Sequence, residues 1–160
     1  MMILDPTLMR SATPSRSRYA RDIWTIFAAR RLYERACLRG RVSRLWRLIT
    51  RRSRRLLDLA TIEPGCNIHT RHFLGVQTVF IEQIRGSEGR SADFDSLFYP
   101  RQGHTQQRWV SIAAARMIGS LLPPVELIQV GDGYFVRDGH YRISVARALG
   151  EEVVEAQVTA

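Results

Sequence analysis

Lysine is missing from this chain of 160 residues: all 24 basic side chains are arginine. A GC-rich coding sequence, in which Arg codons displace Lys codons, accounts for the blank. Its physical consequence is that every cation here is a planar fork suited to phosphate or carboxylate. Cysteine is nearly as scarce, with only Cys37 and Cys66. That excludes a disulfide framework, and a reducing, cytoplasmic setting is expected. No apolar run approaches the roughly 20 residues that span a bilayer. The longest early run, "IWTIFAA" at Ile23–Ala29, is short and starts late for a secretory signal. His69 and His72 near Cys66 lack a fourth ligand at matched spacing, so no metal site is expected.

What the chain does have is unevenly placed. Residues 1–70 carry 15 Arg against 5 acids, whereas residues 71–160 carry 9 Arg against 10. The net charge of +9 therefore belongs to the N-terminal part, which suits an anionic partner such as nucleic acid or a membrane surface. Residues 1–19 are polar and aperiodic and read as a flexible arm. Residues 20–60 read as basic amphipathic helices. The first has Trp24, Ala28, Leu32 and Ala36 at four-residue steps, with Gly40 as its break. The second gathers Val42, Leu45, Trp46, Ile49, Leu56 and Leu57 on one stripe, opposite Arg44, Arg47, Arg51, Arg54 and Arg55. Those five arginines are the candidate nucleic-acid contacts. A solvated helix back and a membrane-surface helix remain open for the same residues.

Residues 61–75, with Pro64 and two glycines, read as a linker. From Val76 to Ala160 the pattern becomes strand, loop, helix, hairpin, helix, strand, an α+β domain. "VQTVFIEQI" is the first strand, "RGSEGRSADFD" the loop, and Thr105 the expected N-cap of a helix that ends at Gly119. "VELIQV" and "YFVR" flank "GDG" as a hairpin, and "EVVEAQV" closes the domain.

The informative corner is "VRDGHYRISVARALG", where a strand runs through Asp138 and Gly139 straight into a helix. The first amides of that helix have no intrahelical partner, so they and the helix dipole suit an anion. Arg142 in the first turn can fold back as a clamp, and His140 adds a donor with a charge that can change near neutral pH. An ordinary Asp-Gly turn with an N-cap, and an Arg142 paired to Asp138 or Glu151, is the competing reading.

The segment "PPVELIQVGDGYFVRDGHYRISVARALG" resembles the ParB N-terminal domain of chromosome-partitioning proteins, within the ParB/sulfiredoxin superfamily. The resemblance runs from Val76 to Val158. It implies a small mixed sheet with flanking helices, here preceded by the basic N-terminal helices. It also implies CTP binding with Mg²⁺, and CTP hydrolysis. Carried over residue by residue, Gly139, His140, Tyr141 and Arg142 become the phosphate-side candidates, with Ser87, Glu88, Gly89 and Arg90 on the facing loop. His140 stands where sulfiredoxins place a catalytic cysteine, so sulfur chemistry is not expected. The partitioning proteins carry a second arginine where Tyr141 stands, and a helix-turn-helix domain follows their module. The expectation is therefore something other than a complete partition protein.

Two other functions compete with a nucleotide-binding module of nucleoid-associated type. A metal-dependent nuclease or phosphodiesterase would draw ligands from Glu88, Asp93, Asp95 and Asp138, with His140 as acid or base. A non-catalytic adaptor would bind a protein through its arginine helices. The expected partners are a nucleotide or nucleic acid, with a homodimer as a further arrangement.

Overall fold

One continuous helix, α1 (Arg16–Thr50), stands where two were expected. The computed structural model describes residues 16–50, 56–62, 72–101 and 103–160. Gly40 does not break α1 because its missing side chain lets another segment lie against it. A Cβ there would come 3.1 Å from Tyr99 Cβ. The buried face of α1 is Ala29, Tyr33, Ala36 and Gly40, one residue round from the stripe that periodicity suggested. Arg31 and Arg35 interrupt the expected stripe, and the rotation puts both in solvent. Trp24 and Ala28 are left exposed as a result.

The described members of the second stripe do not share one buried helix face either. Val42 and Leu45 are exposed, and Leu57 opens a strand instead of continuing a helix. Residues 16–19, expected in a flexible arm, belong to α1. The expected linker is also shorter than its span, because α2 (Leu59–Ile62) occupies its start and β2 (Phe73–Phe80) its end. Residues 63–71, with Cys66 and His69, lie outside the described residues.

Six strands form one mixed sheet in the order β1-β3-β5-β4-β6-β2. The short β1 (Leu57–Asp58) lies parallel to β3 (Ile84–Ser87), which lies parallel to β5 (Gly133–Asp138). A 3₁₀ turn, Ile81–Gln83, swings the chain from β2 across to β3. The hairpin of β4 (Val125–Val130) and β5 turns on Gly131 and Asp132, as its Gly-Asp-Gly signal indicated. β6 (Val153–Thr159) pairs parallel with β4 and antiparallel with β2. The α+β expectation of a small mixed sheet with flanking helices holds, with two strands more than the pattern resolved.

The three longer helices cover one face of the sheet. α3 (Gln106–Met117) brings Trp109 and Ala113, and α4 (His140–Leu149) brings Ile143 and Val145, onto Leu127, Val136 and Val158. α1 joins the same core through Tyr33, whose ring meets Trp109 edge-on at 5.4 Å. The opposite face holds a smaller cluster of Leu59, Ile128 and Phe135. Thr105 does not act as the expected N-cap: it sits in a 3₁₀ turn in right-handed helical conformation and makes no side-chain cap bond. It is buried beside Tyr33 instead. Among the described residues, no helix is long and apolar enough to cross a membrane.

Candidate functional site

The parallel trio β1, β3 and β5 all point their C-terminal ends at one place, where strand-to-loop corners of mixed sheets present ligand sites. β5 ends at Asp138, and Gly139 turns the chain into α4 with φ +98. That left-handed geometry suits glycine. The close approach favours glycine further, because a Cβ would fall 2.6 Å from Val125 Cγ1. The first bond along α4 runs from the Ile143 amide to the Gly139 carbonyl at 3.0 Å. The amides of His140, Tyr141 and Arg142 therefore precede any intrahelical acceptor. Gly139 at the N-cap has no side chain to cap this terminus, and among the described residues no other side chain is seen to do so.

A cavity of about 340 Å³ opens on that terminus. Arg90 comes to it from the loop after β3, Arg108 from the first turn of α3, and Arg142 from α4. Asp138 is the one acid among its described lining residues. Leu122, Pro123 and Ile112 supply an apolar wall. Such a pocket, cationic at one side and apolar at the other, can take a phosphorylated ligand with an organic body.

The four arginine-corner candidates play different parts. Arg142 does not reach into the cavity as a free clamp. Its Nη1 donates to the carbonyls of Pro123 and Pro124 at 2.6 and 3.1 Å, and its Nη2 to Asp138 at 2.6 Å. It fastens the Pro123–Pro124 wall to the corner. Tyr141 turns its ring inward, edge-on to Phe94 at 5.4 Å. The Arg108 guanidinium lies 5.2 Å over that ring, a cation–π contact that aims it at the cavity.

His140 is buried, with its ring stacked on Phe94 and its Nε2 2.6 Å from Ser87 Oγ. Burial, and then the positive field of Arg90, push its pKa down to about 4, against weaker opposing pulls from Asp138 and Asp93. This corrects the expectation of a histidine that changes charge near neutral pH: the ring is neutral there. It ties the end of β3 to the start of α4.

The facing loop is held by its own bonds. Ser87 is fully buried, and its Oγ accepts the Arg90 amide at 3.1 Å. The Glu88 amide donates to the Val136 carbonyl, and its carboxylate lies 3.9 Å from Arg137. Gly89 is exposed at the tip, and Ser91 donates to Asp58 at the end of β1. These contacts hold the loop while the Arg90 side chain stays exposed. Arg108 was not legible as a site residue, since no spacing links an arginine beside Trp109 to a corner over 30 positions on.

The carboxylates proposed for a nuclease are dispersed. Asp95 is buried and accepts the amides of Leu97 and Tyr99, while Asp138 pairs with Arg142. Among the described residues, no three His, Cys, Asp or Glu side chains gather to hold a metal. Of the arginines expected to meet nucleic acid, Arg44 and Arg47 lie on α1 with side chains outside the described set, and Arg51, Arg54 and Arg55 lie outside the described residues.

No family model matches the chain, and no curated protein is similar to it. Among solved structures it is similar to a sulfiredoxin from Arabidopsis thaliana, with 21% sequence identity over 52% of this chain and 82% of that one, at a TM-score of 0.39.

Proposed function

We propose that this chain is a phosphate-binding module that takes the phosphoryl groups of a nucleotide at the N-terminus of α4. The observation that carries the reading is the convergence of uncapped α4 amides with the Arg90 and Arg108 guanidiniums on one cavity. The likeness of the corner sequence to the ParB-type module points to CTP among nucleotides. Arg142 serves as a positioning residue, and Arg90 and Arg108 take over the clamp. Mg²⁺ fits the cavity poorly from the protein side, because its single acid is already paired with Arg142.

Calorimetric titration with CTP, ATP, GTP and inorganic triphosphate tests the reading. Arg90→Ala and Arg108→Ala should each weaken binding by about 10- to 100-fold, as expected for a charged hydrogen bond. Silence with all four ligands, or affinities indifferent to both substitutions, refutes it.

Association with DNA has its own support in the structure. Between Arg30 and Arg41, α1 exposes five arginines against one acid, Glu34. Binding to a DNA duplex should fall steeply with added salt as condensed counterions are released. A flat salt response argues against it.

A further inference from the structure

The outward side of α1 carries exposed apolar side chains toward its two ends and a pair of opposite charges between them. Stepping about 100° per residue, the face opposite Ala29, Tyr33, Ala36 and Gly40 is formed by Trp24, Phe27, Arg31, Glu34, Leu38 and Arg41. Their spacing of three and four residues is the a/d pattern of a helix that packs on another helix. The apolar members stand in solvent, Trp24 at 70% and Leu38 and Phe27 each at 56% of full exposure. A lone surface leucine needs no explanation, but exposed Trp24, Phe27 and Leu38 on one helix face, set symmetrically about the oppositely charged Arg31 and Glu34, do.

We propose that this face is the seam of a homodimer in which α1 packs antiparallel on α1 of a second copy. The sequence along the seam is complementary to itself in reverse. With the twofold axis between Leu32 and Tyr33, an a residue of one helix faces a d residue of the other. Phe27 then meets Leu38 of the second copy, and Ile23 at the seam's edge meets Val42. Arg31 faces Glu34 of the second copy, which makes two ion pairs about the axis. Trp24 faces Arg41, a cation–π pair, at either end. Every layer joins groups that attract, and a twofold interface of this kind closes on itself. Among the described residues the ion-pair partner of Glu34 is a loose one, Arg30 at 3.9 Å with both side chains mostly exposed, so it is available to Arg31 across the axis.

Charge opposes this association at long range, since each copy carries +9. Added salt screens that repulsion, so the dimer tightens with salt while any hold on DNA loosens. The two uses of α1 are thereby separable.

Sedimentation equilibrium of the full chain tests the proposal. The expected result is a concentration-dependent dimer, tighter in about 0.5 M than in about 0.05 M NaCl, as screening requires. Arg31→Glu and Glu34→Arg should each weaken it by about tenfold or more, and the double swap should return it to within about threefold of the parent, because opposite charges again face each other. Mixing Phe27→Cys with Leu38→Cys, both in a Cys37→Ser, Cys66→Ser background, should give a mixed disulfide. Phe27→Cys alone should give little, since the two copies of that position lie 11 residues apart, about 16 Å along the axis. These side chains are outside the core, so thermal melts of the monomer should not move. A single-copy mass at every concentration, a double swap that fails to restore, or a Phe27→Cys self-link in place of the mixed one overturns it. So does a chain that stays monomeric but floats with anionic vesicles through Trp24 and Phe27.

Discussion

Replacing Gly139 by alanine should damage the fold by an amount that separates into two causes. The first is backbone strain: φ is +98 at this position, and an L-residue held in left-handed geometry costs about 1–2 kcal/mol. The second is collision. The new methyl would sit 2.6 Å from Val125 Cγ1 and 2.8 Å from Val125 Cβ, and overpacking of a core typically costs about 1–3 kcal/mol. Gly150 provides the internal control, with φ +85 and no atom within 4 Å of an added Cβ. Gly150→Ala should therefore show the strain alone, about 1–2 kcal/mol. In Gly139→Ala the sum should reach about 2–5 kcal/mol. Val125→Ala in the same chain removes Cγ1, the nearer of the two atoms struck, but keeps Cβ, so it should recover only part of the collision, about 1 kcal/mol, as a coupling energy. Urea titration followed by tryptophan fluorescence reads the parent, the three single variants and the double variant. If Gly139→Ala costs no more than Gly150→Ala, or if the double variant is merely additive, the corner is not packed as described and its amides are not held in place.

Two further outcomes follow from the same corner. His140 has its pKa lowered to about 4 by burial and by Arg90, so the unfolded chain takes up that proton more readily than the folded one. Stability should be full above about pH 6.5, the unfolded pKa, and fall as pH drops toward 4, by up to about 3 kcal/mol for that difference in pKa. His140→Gln should flatten the fall in a urea series across pH, and an NMR titration that finds this ring half-protonated near pH 6.5 would contradict the cause. Arg142→Ala strips the partner from the Pro123 and Pro124 carbonyls and from Asp138, at a cost of about 1–3 kcal/mol. Hydrogen exchange should quicken at Leu121, Leu122 and Val125 and stay unchanged in β6; uniform quickening would mean that Arg142 supports the whole fold and not this wall.

The parts of the molecule that were legible from sequence are those where local chemistry and tertiary packing agree. Gly-Asp-Gly dictates a tight turn, and the alternation of Val154, Ala156 and Val158 with exposed neighbours dictates a strand with one buried face. α1 was misread because its two apolar faces compete. Periodicity cannot tell a face that meets the domain from one that meets something else, and the choice falls to the small residues Ala29, Ala36 and Gly40, which let other segments approach. Gly40 was taken for a stop because glycine weakens helices by about 1 kcal/mol; its contact with Tyr99 outweighs that. The site divides the same way. A local Asp-Gly-helix signal disclosed the amides and the Arg142–Asp138 pair, whereas the other partners of Arg142 lie 18 and 19 positions upstream, on carbonyls that have no side-chain signature.

One line of contacts joins the two surfaces of this molecule. Tyr33 on the inner face of α1 meets Trp109, and the Trp109 indole donates to Ser144 on α4 at 2.8 Å. Trp109 follows Arg108 directly, so the residue that anchors α3 to both helices also fixes where that guanidinium emerges. Tyr33 belongs to the turn of α1 whose opposite side carries Arg31 and Glu34, the pair at the centre of the seam. A shift of α1 normal to its axis would press on Trp109, which the Tyr33 ring meets edge-on. The indole is fully buried and its one donor is engaged, so it has no slack to absorb such a shift. On the proposed readings of both surfaces, Arg108 would move with Trp109 and Arg90, on its separately tethered loop, would not; a CTP affinity that is the same in the monomeric Arg31→Glu variant as in the parent refutes that link.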